Sequence, residues 1–210
     1  QSIGSSASVI PEWMRTQFVR RARIATQVDG LCGQIVGLYT NYCVGTQGVE
    51  WKCEDEQAQA VLDAFMFSKA NECVLSPAAQ RQRSSEFQED GEIFFALFAS
   101  PGMGVKIRVL DSLEISDIAT EKEDANQPLY YVRDQVSMVG GSVKKIYYRD
   151  KNNTSMTPGY TPAGTEIPNA SGELSTAVVY HVSLGGRGLR GMSRLMPVLD
   201  WSRSYIKFMN

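Results

Sequence analysis

Around "EDGEIFF" the period of the hydrophobic pattern changes, and that change limits the folds open to this chain. From Pro11 to Tyr42 apolar residues recur at helical spacing, through Met14, Phe18, Ala22, Ala25, Val28, Leu31, Ile35, Leu38 and Tyr42. Beyond Glu92 the segments "EIFFALFAS", "GVKIRVLD", "LEISDIA", "PLYYVRDQV", "VKKIYYRD" and "STAVVYHV" are short and rich in β-branched and aromatic residues, with Gly, Pro, Asn and Asp between them. Such segments predict an antiparallel sheet or sandwich. Helical spacing then resumes in "RGMSRLMPVLDWSRSYIKFMN" through Leu195, Val198, Leu199, Trp201, Tyr205 and Phe208. Helices, then strands, then a helix make the chain α+β rather than doubly wound.

Local signals set the boundaries. "QSIGSSASVI" reads as a mobile N-terminal arm over residues 1–10. Pro11 suits a first helical turn and Gly45 a stop, while Gly30, Gly33 and Gly37 predict either a break near "DGLCG" or the close approach of another element. A second helix is expected from about Glu54 to Glu72, its apolar face made of Ala58, Val61, Leu62, Phe65 and Met66. A third runs from Ser76, an N-cap before Pro77, to about Gln88. "SPGMG" and "VGG" read as hairpin connections, and "RDKNNTSMTPGYTPAGTEIPNASGE" as a long exposed excursion. The last helix is expected to start near Ser193.

At 210 residues, with 43% hydrophobic and 10% aromatic content, the chain has material for one sizeable core or two small ones. It begins at Gln1 and stops inside a helical pattern, which reads as a piece of a longer protein. No apolar run approaches the roughly 18 to 20 residues of a membrane span, and the signal-peptide layout is missing, so the expectation is a soluble, non-secreted protein. Cys32 and Cys43 stand 11 residues apart on one expected helix, or ~16 Å, beyond the roughly 7 Å a disulfide tolerates. Reduced, buried thiols are expected for these and for Cys53 and Cys73, and the sequons at Asn152 and Asn169 carry little weight.

Charge is unevenly spread. Residues 53–124 hold 15 acidic and 6 basic residues, whereas residues 183–210 set Arg187, Arg190, Arg194, Arg203 and Lys207 against Asp200 alone. "RTQFVRRAR" near the N-terminus is basic as well. Such clusters are solvated faces or partner sites.

The chemistry-bearing motifs each have an ordinary structural reading. His181, the sole histidine, ends an apolar strand with no G-x-S-x-G elbow anywhere, so it reads as a satisfied strand residue rather than a general base. In "EFQEDGEIFF" the carboxylates Glu89, Asp90 and Glu92 would suit a divalent ion, but Asp90-Gly91 is also common helix-to-strand turn chemistry, which is preferred. "GGRGLRG" lacks the Lys-Ser/Thr pair of a phosphate loop. Gly185, Gly188 and Gly191 read instead as a hinge. No cofactor is implied.

Three segments in this order resemble the portal proteins of tailed double-stranded DNA phages, in the lambda-type branch. They are the arginine-bearing opening "PEWMRTQFVRRARIATQVDGLCGQIVGLYTNYCVGTQ", the helix "QRQRSSEFQEDGEIFFALF" ending in an acidic-Gly turn before "VLDSLEISDI", and "VVYHVSLGGRGLRGMSRLMPVLDW" with its strand-end His, Arg-Gly pair and Ser before a Leu/Pro-containing helix. "SLGG" lengthens the usual approach to the Arg-Gly pair, and the family's clip, returning stem helix, tunnel loop and crown have no counterpart in this sequence.

The resemblance implies a wing domain over residues 11–184 and a hinge with the start of a stem-directed helix over residues 185–210. It implies a non-enzymatic subunit of a homo-oligomeric ring, usually a dodecamer, at one capsid vertex of the virion, assembled in the host cytoplasm. Through such a ring a terminase motor drives double-stranded DNA without sequence specificity, and the major capsid protein and head-completion or tail proteins attach to it. An acidic belt near the lumen would limit phosphate binding, and Arg187, Arg190 and Arg194 are candidates for subunit contacts or DNA-proximal positions. The rival expectations are a monomeric capsid or tail adaptor binding through the 150–175 loop, and a carboxylate-dependent metal enzyme using Glu89, Asp90 and Glu92.

Overall fold

The computed structural model describes residues 10–100, 104–121, 124–136, 143–153, 172–185 and 188–209. The expected arm, apart from Ile10, most of the 150–175 excursion, the centres of the "SPGMG" and "VGG" connections, and Arg187 lie outside the described residues.

The first helical stretch is two helices, α1 (Glu12–Val28) and α2 (Gly30–Cys43). Asp29 breaks it: its backbone is extended, and its carboxylate accepts the Leu31 N–H at 2.9 Å, capping the second helix. Helix α3 (Glu56–Met66) is capped by Asp55 and stops short of the expected Glu72. The chain turns after Phe67 because Asn71 reaches back to donate to the Phe65 carbonyl. A short α4 (Glu72–Leu75) leads to α5 (Pro77–Asp90), where Ser76 accepts from Ala79 N–H as its cap and Pro77 occupies the first turn. Gly91 ends α5 in the left-handed conformation at φ 80°.

Six strands follow: β1 (Glu92–Ser100), β2 (Gly104–Leu110), β3 (Ile115–Thr120), β4 (Pro128–Val136), β5 (Val143–Asp150) and β6 (Glu173–Ser183). They form one sheet in the order β2-β1-β6-β5-β4-β3. The expected all-antiparallel sheet needs correction at one pair, since β5 and β6 run parallel, and the sheet is therefore mixed. The reason is the long stretch between Asp150 and Glu173, which returns the chain to the other end of the sheet before β6 inserts beside β1. No second sheet faces this one among the described residues.

There are two cores. Beneath the sheet Phe94, Ala96, Leu110, Ile115, Ile118, Tyr131, Tyr148, Ala177 and Val179 pack together, with Leu189 against them. Between the helices Ala22, Cys32, Val36 and Leu195 form the second. Leu189 and Leu195 both belong to the stretch expected to be a hinge, so that stretch stitches sheet to helices. The last helix, α6 (Leu199–Met209), begins later than Ser193, after a run of turns over residues 194–198. Ser202 on α6 donates to the Asp29 carboxylate, fixing α6 to the α1–α2 break.

The cysteines are free, but only Cys32 is buried; Cys43, Cys53 and Cys73 are exposed. Burial raises the Cys32 thiol above its ordinary range, with the Asp29 carboxylate adding to it. A maleimide reagent should therefore label three thiols in the native protein and the fourth only after denaturation, as counted by mass spectrometry.

Candidate functional site

Of the residues singled out in the sequence, Asp90, Glu92, His181, Arg190 and Gly191 come together at one place, where α1, the end of α5, the start of β1, the end of β6 and the 188–195 loop converge. Its centre is Glu92, whose side chain has no exposed surface. Arg15 of α1 donates from Nη1 to Oε1 at 3.1 Å. Arg190 donates to the same oxygen from Nε at 3.1 Å and Nη2 at 2.7 Å. On the other oxygen, Oε2, the Gly191 N–H donates at 2.9 Å and His181 Nε2 lies at 3.2 Å. An ionised carboxylate only accepts, so the hydrogen sits on Nε2 of the imidazole.

Burial alone would raise the Glu92 pKa, but Arg190, His181 and Arg15 together outweigh it and hold the carboxyl down at about 2. His181 is the satisfied strand histidine expected: its ring stacks on Phe94 with centroids 4.1 Å apart, its partner in the β1–β6 register. Arg190 also donates to the carbonyls of Ile115 at 3.0 Å and Ser112 at 3.1 Å, so its guanidinium is committed inside the chain. Arg194, by contrast, is exposed and lies over the Tyr39 ring at 4.8 Å.

A second ionic layer sits beside the first. Arg23 grips Asp90 with Nε–Oδ1 at 2.8 Å and Nη2–Oδ2 at 2.6 Å, and reaches Asp111 with Nη2–Oδ1 at 2.7 Å. Ser112 Oγ donates to Asp90 Oδ2 at 2.8 Å. Asp90 and Glu92 thus answer to different arginines, and no group of three or more metal-ligating side chains converges among the described residues. Glu89, beside Asp90 and facing Arg23 and Thr26 of α1, behaves oppositely to Glu92: burial, with Asp90 next to it, lifts its carboxyl to about 7.

The glycines have a geometric role. A Cβ on Gly191 would stand 1.9 Å from the Gly91 carbonyl oxygen, and one on Gly91 would stand 2.1 Å from the Met192 carbonyl carbon. The two loops therefore cross backbone to backbone, held by Leu184 N–H to Gly91 C=O at 2.6 Å and Arg194 N–H to Gln88 C=O at 3.1 Å. Gly191 is required by close contact, Gly188 has a left-handed φ of 118°, and Gly185 stands in open space. Sequence reasoning passed over Arg15 and Arg23 as individuals. Their signal was position, since Arg15 and Arg23 stand four residues before and after Val19, on the face of α1 that buries Val19 and Ala22.

The other large concavity is a cleft of about 840 Å³ between residues 47–52 and helices α3 to α5, lined by Trp51, Met66, Phe67 and Leu75 among others. No family model and no curated protein matches this chain.

Replacing Glu92 with Gln leaves the buried Arg15 and Arg190 guanidinium groups with only the half-exposed Glu12 carboxylate as counter-charge, which should cost about 3 kcal/mol in urea unfolding at neutral pH. The pH dependence has a defined sign. Because the folded pKa of Glu92 lies below its unfolded value, its stabilisation is present above about pH 4.3 and disappears as pH falls toward 2. Glu89 works the other way, its ionisation opposing folding as pH rises toward 7. Urea midpoints measured across pH should lose the acid limb in Glu92→Gln and flatten near neutrality in Glu89→Gln. Gly191→Ala should be destabilising by about 1–3 kcal/mol or more, because a backbone must move.

Proposed function

We propose that this chain is a structural subunit of a portal-type ring, a head-to-tail connector that passes double-stranded DNA at a capsid vertex and catalyses no reaction itself. One observation carries the reading most of the way. The three segments that resemble the portal family supply the residues of a single buried cluster: Arg15 from the first, Asp90, Gly91 and Glu92 from the second, His181, Arg190 and Gly191 from the third.

The surface supports an assembled subunit. The helical layer leaves Trp13, Ile24, Val28, Leu38 and Tyr42 exposed, and α6 presents Trp201, Tyr205 and Phe208 at i, i+4, i+7 spacing to solvent. Exposed apolar groups of that size are surface that neighbours in an assembly would cover. A ring needs two different complementary surfaces on each subunit, and the acidic 53–124 region and basic 183–210 region suit that need. In this reading the terminase motor, the capsid protein and head-completion or tail proteins dock on the ring, which works in the virion and forms in the host cytoplasm. No described helix is long and apolar enough to cross a membrane.

The test is negative-stain electron microscopy with native mass measurement on the protein extended past Asn210. A closed ring of about twelve copies with a central hole is the expected result, and a stable monomer or dimer at every concentration would overturn the reading. Arg194→Glu should weaken the ring while lowering the stability of the subunit by no more than about 1 kcal/mol, because Arg194 is exposed, outside the Glu92 cluster, and loses only its contact with Tyr39.

A further inference from the structure

Between α2 and α3 the chain forms a strap, Gly48 to Cys53, that belongs to no sheet. Two side-chain amides hold it. Gln80 of α5 accepts the Val49 N–H at 2.7 Å and donates back to the Val49 carbonyl at 3.5 Å. Gln59 of α3 accepts the Cys53 N–H at 2.7 Å and donates to the Trp51 carbonyl at 3.2 Å. Bonding residues 49, 51 and 53 from one side is the pattern of extended backbone, and each glutamine does there what the peptide of an adjacent strand would do.

In extended backbone the N–H and C=O of the intervening residues face the other way. Among the described residues the main-chain groups of Glu50 and Lys52 have no hydrogen-bond partner. Their side chains are 74% and 85% exposed and pair loosely with each other at 3.8 Å within the strap, on the solvent side. The true sheet edge is treated differently. On β2, Asn71 donates to the Val105 carbonyl and accepts the Ile107 N–H, and Arg108 covers the Ile107 carbonyl. One edge is closed by side chains; the strap is closed on one side and open on the other.

We propose that the open edge of the strap pairs with the same edge of a second copy, antiparallel and centred on Trp51. The argument is complementarity. The order Val49-Glu50-Trp51-Lys52-Cys53 reads with reversed charge about Trp51, so antiparallel pairing sets each Glu50 opposite the other copy's Lys52. Those are also the residues whose backbone groups point outward, so each facing pair exchanges both of its N–H···O=C bonds. Oppositely charged side chains directly across an antiparallel pair are mutually favourable. Trp51, 53% exposed, then meets its twin at the position between the bonded pairs, where cross-strand side chains come closest. A foreign strand would need the same charge order, which this chain already carries. Such a contact is isologous and closes on two copies, so it is independent of the heterologous contact that a ring requires.

Sedimentation velocity over a concentration series tests it with the wild-type chain, Glu50→Lys, Lys52→Glu and the double exchange. Both positions are exposed, so folding is expected to be unaffected, with circular dichroism as the check. The wild type should pass from monomer to dimer as concentration rises. Each single variant, facing like charges, should stay monomeric over the same range, and the double exchange should dimerise again. An equimolar mixture of the two single variants should form dimers that neither forms alone. In the wild-type dimer the Glu50 and Lys52 amides should become protected from hydrogen exchange. A wild type that remains monomeric, association indifferent to the exchanges, or amides that exchange in the dimer as in the monomer would each overturn the proposal.

Discussion

A carboxylate removed from water must be matched group for group, and the rest of this structure depends on how Glu92 is matched. Its two oxygens take three N–H groups from two arginines, one from the backbone of Gly191 and one from His181. These donors lie far apart in sequence, so the cluster forms only when α1, β1, β6 and the 188–195 loop are all in place. Removing water strengthens each contact and also makes each lost contact expensive. The glycine crossing at Gly91 and Gly191 follows from the same requirement, because the Gly191 N–H reaches the carboxylate only if the two backbones nearly touch.

From this joint the two cores acquire their relative position. Leu189 packs beneath the sheet and Leu195 between the helices, on either side of Arg190 and Gly191 in the same short stretch. The chain therefore leaves the joint already fixed, and α6 departs from a defined place, tied to the α1–α2 break through Ser202 and Asp29.

Much of the fold was legible because it rests on local rules. Ser76 before Pro77, Gly91 after α5 and the glycine-bearing "DGLCG" break each announce a helix end through backbone chemistry alone. The alternating β segments announced the strands for the same reason. The parallel β5–β6 pair was not legible, since it depends on where a long connection returns the chain. The length of α3 was missed because Asn71, beyond the expected run, turns back onto the Phe65 carbonyl.

For the candidate site the residue types were visible and their partners were not. Glu92 and Asp90 stood out as carboxylates and Arg190 as one basic residue of several, but nothing local pairs residues some hundred positions apart. Arg190 and Arg194 look alike in sequence; one is internal and the other exposed because only one side of the loop faces Glu92.

The most direct test of the account is a carbon-13 NMR titration of the Glu92 carboxyl, followed downward in pH for as long as the native spectrum persists. A carboxyl that stays ionised through the ordinary glutamate range, with no titration step until about pH 2, is the predicted result. A midpoint near the unperturbed value of about 4.3 would contradict it, and the buried ionic joint would no longer explain how the two cores are held together.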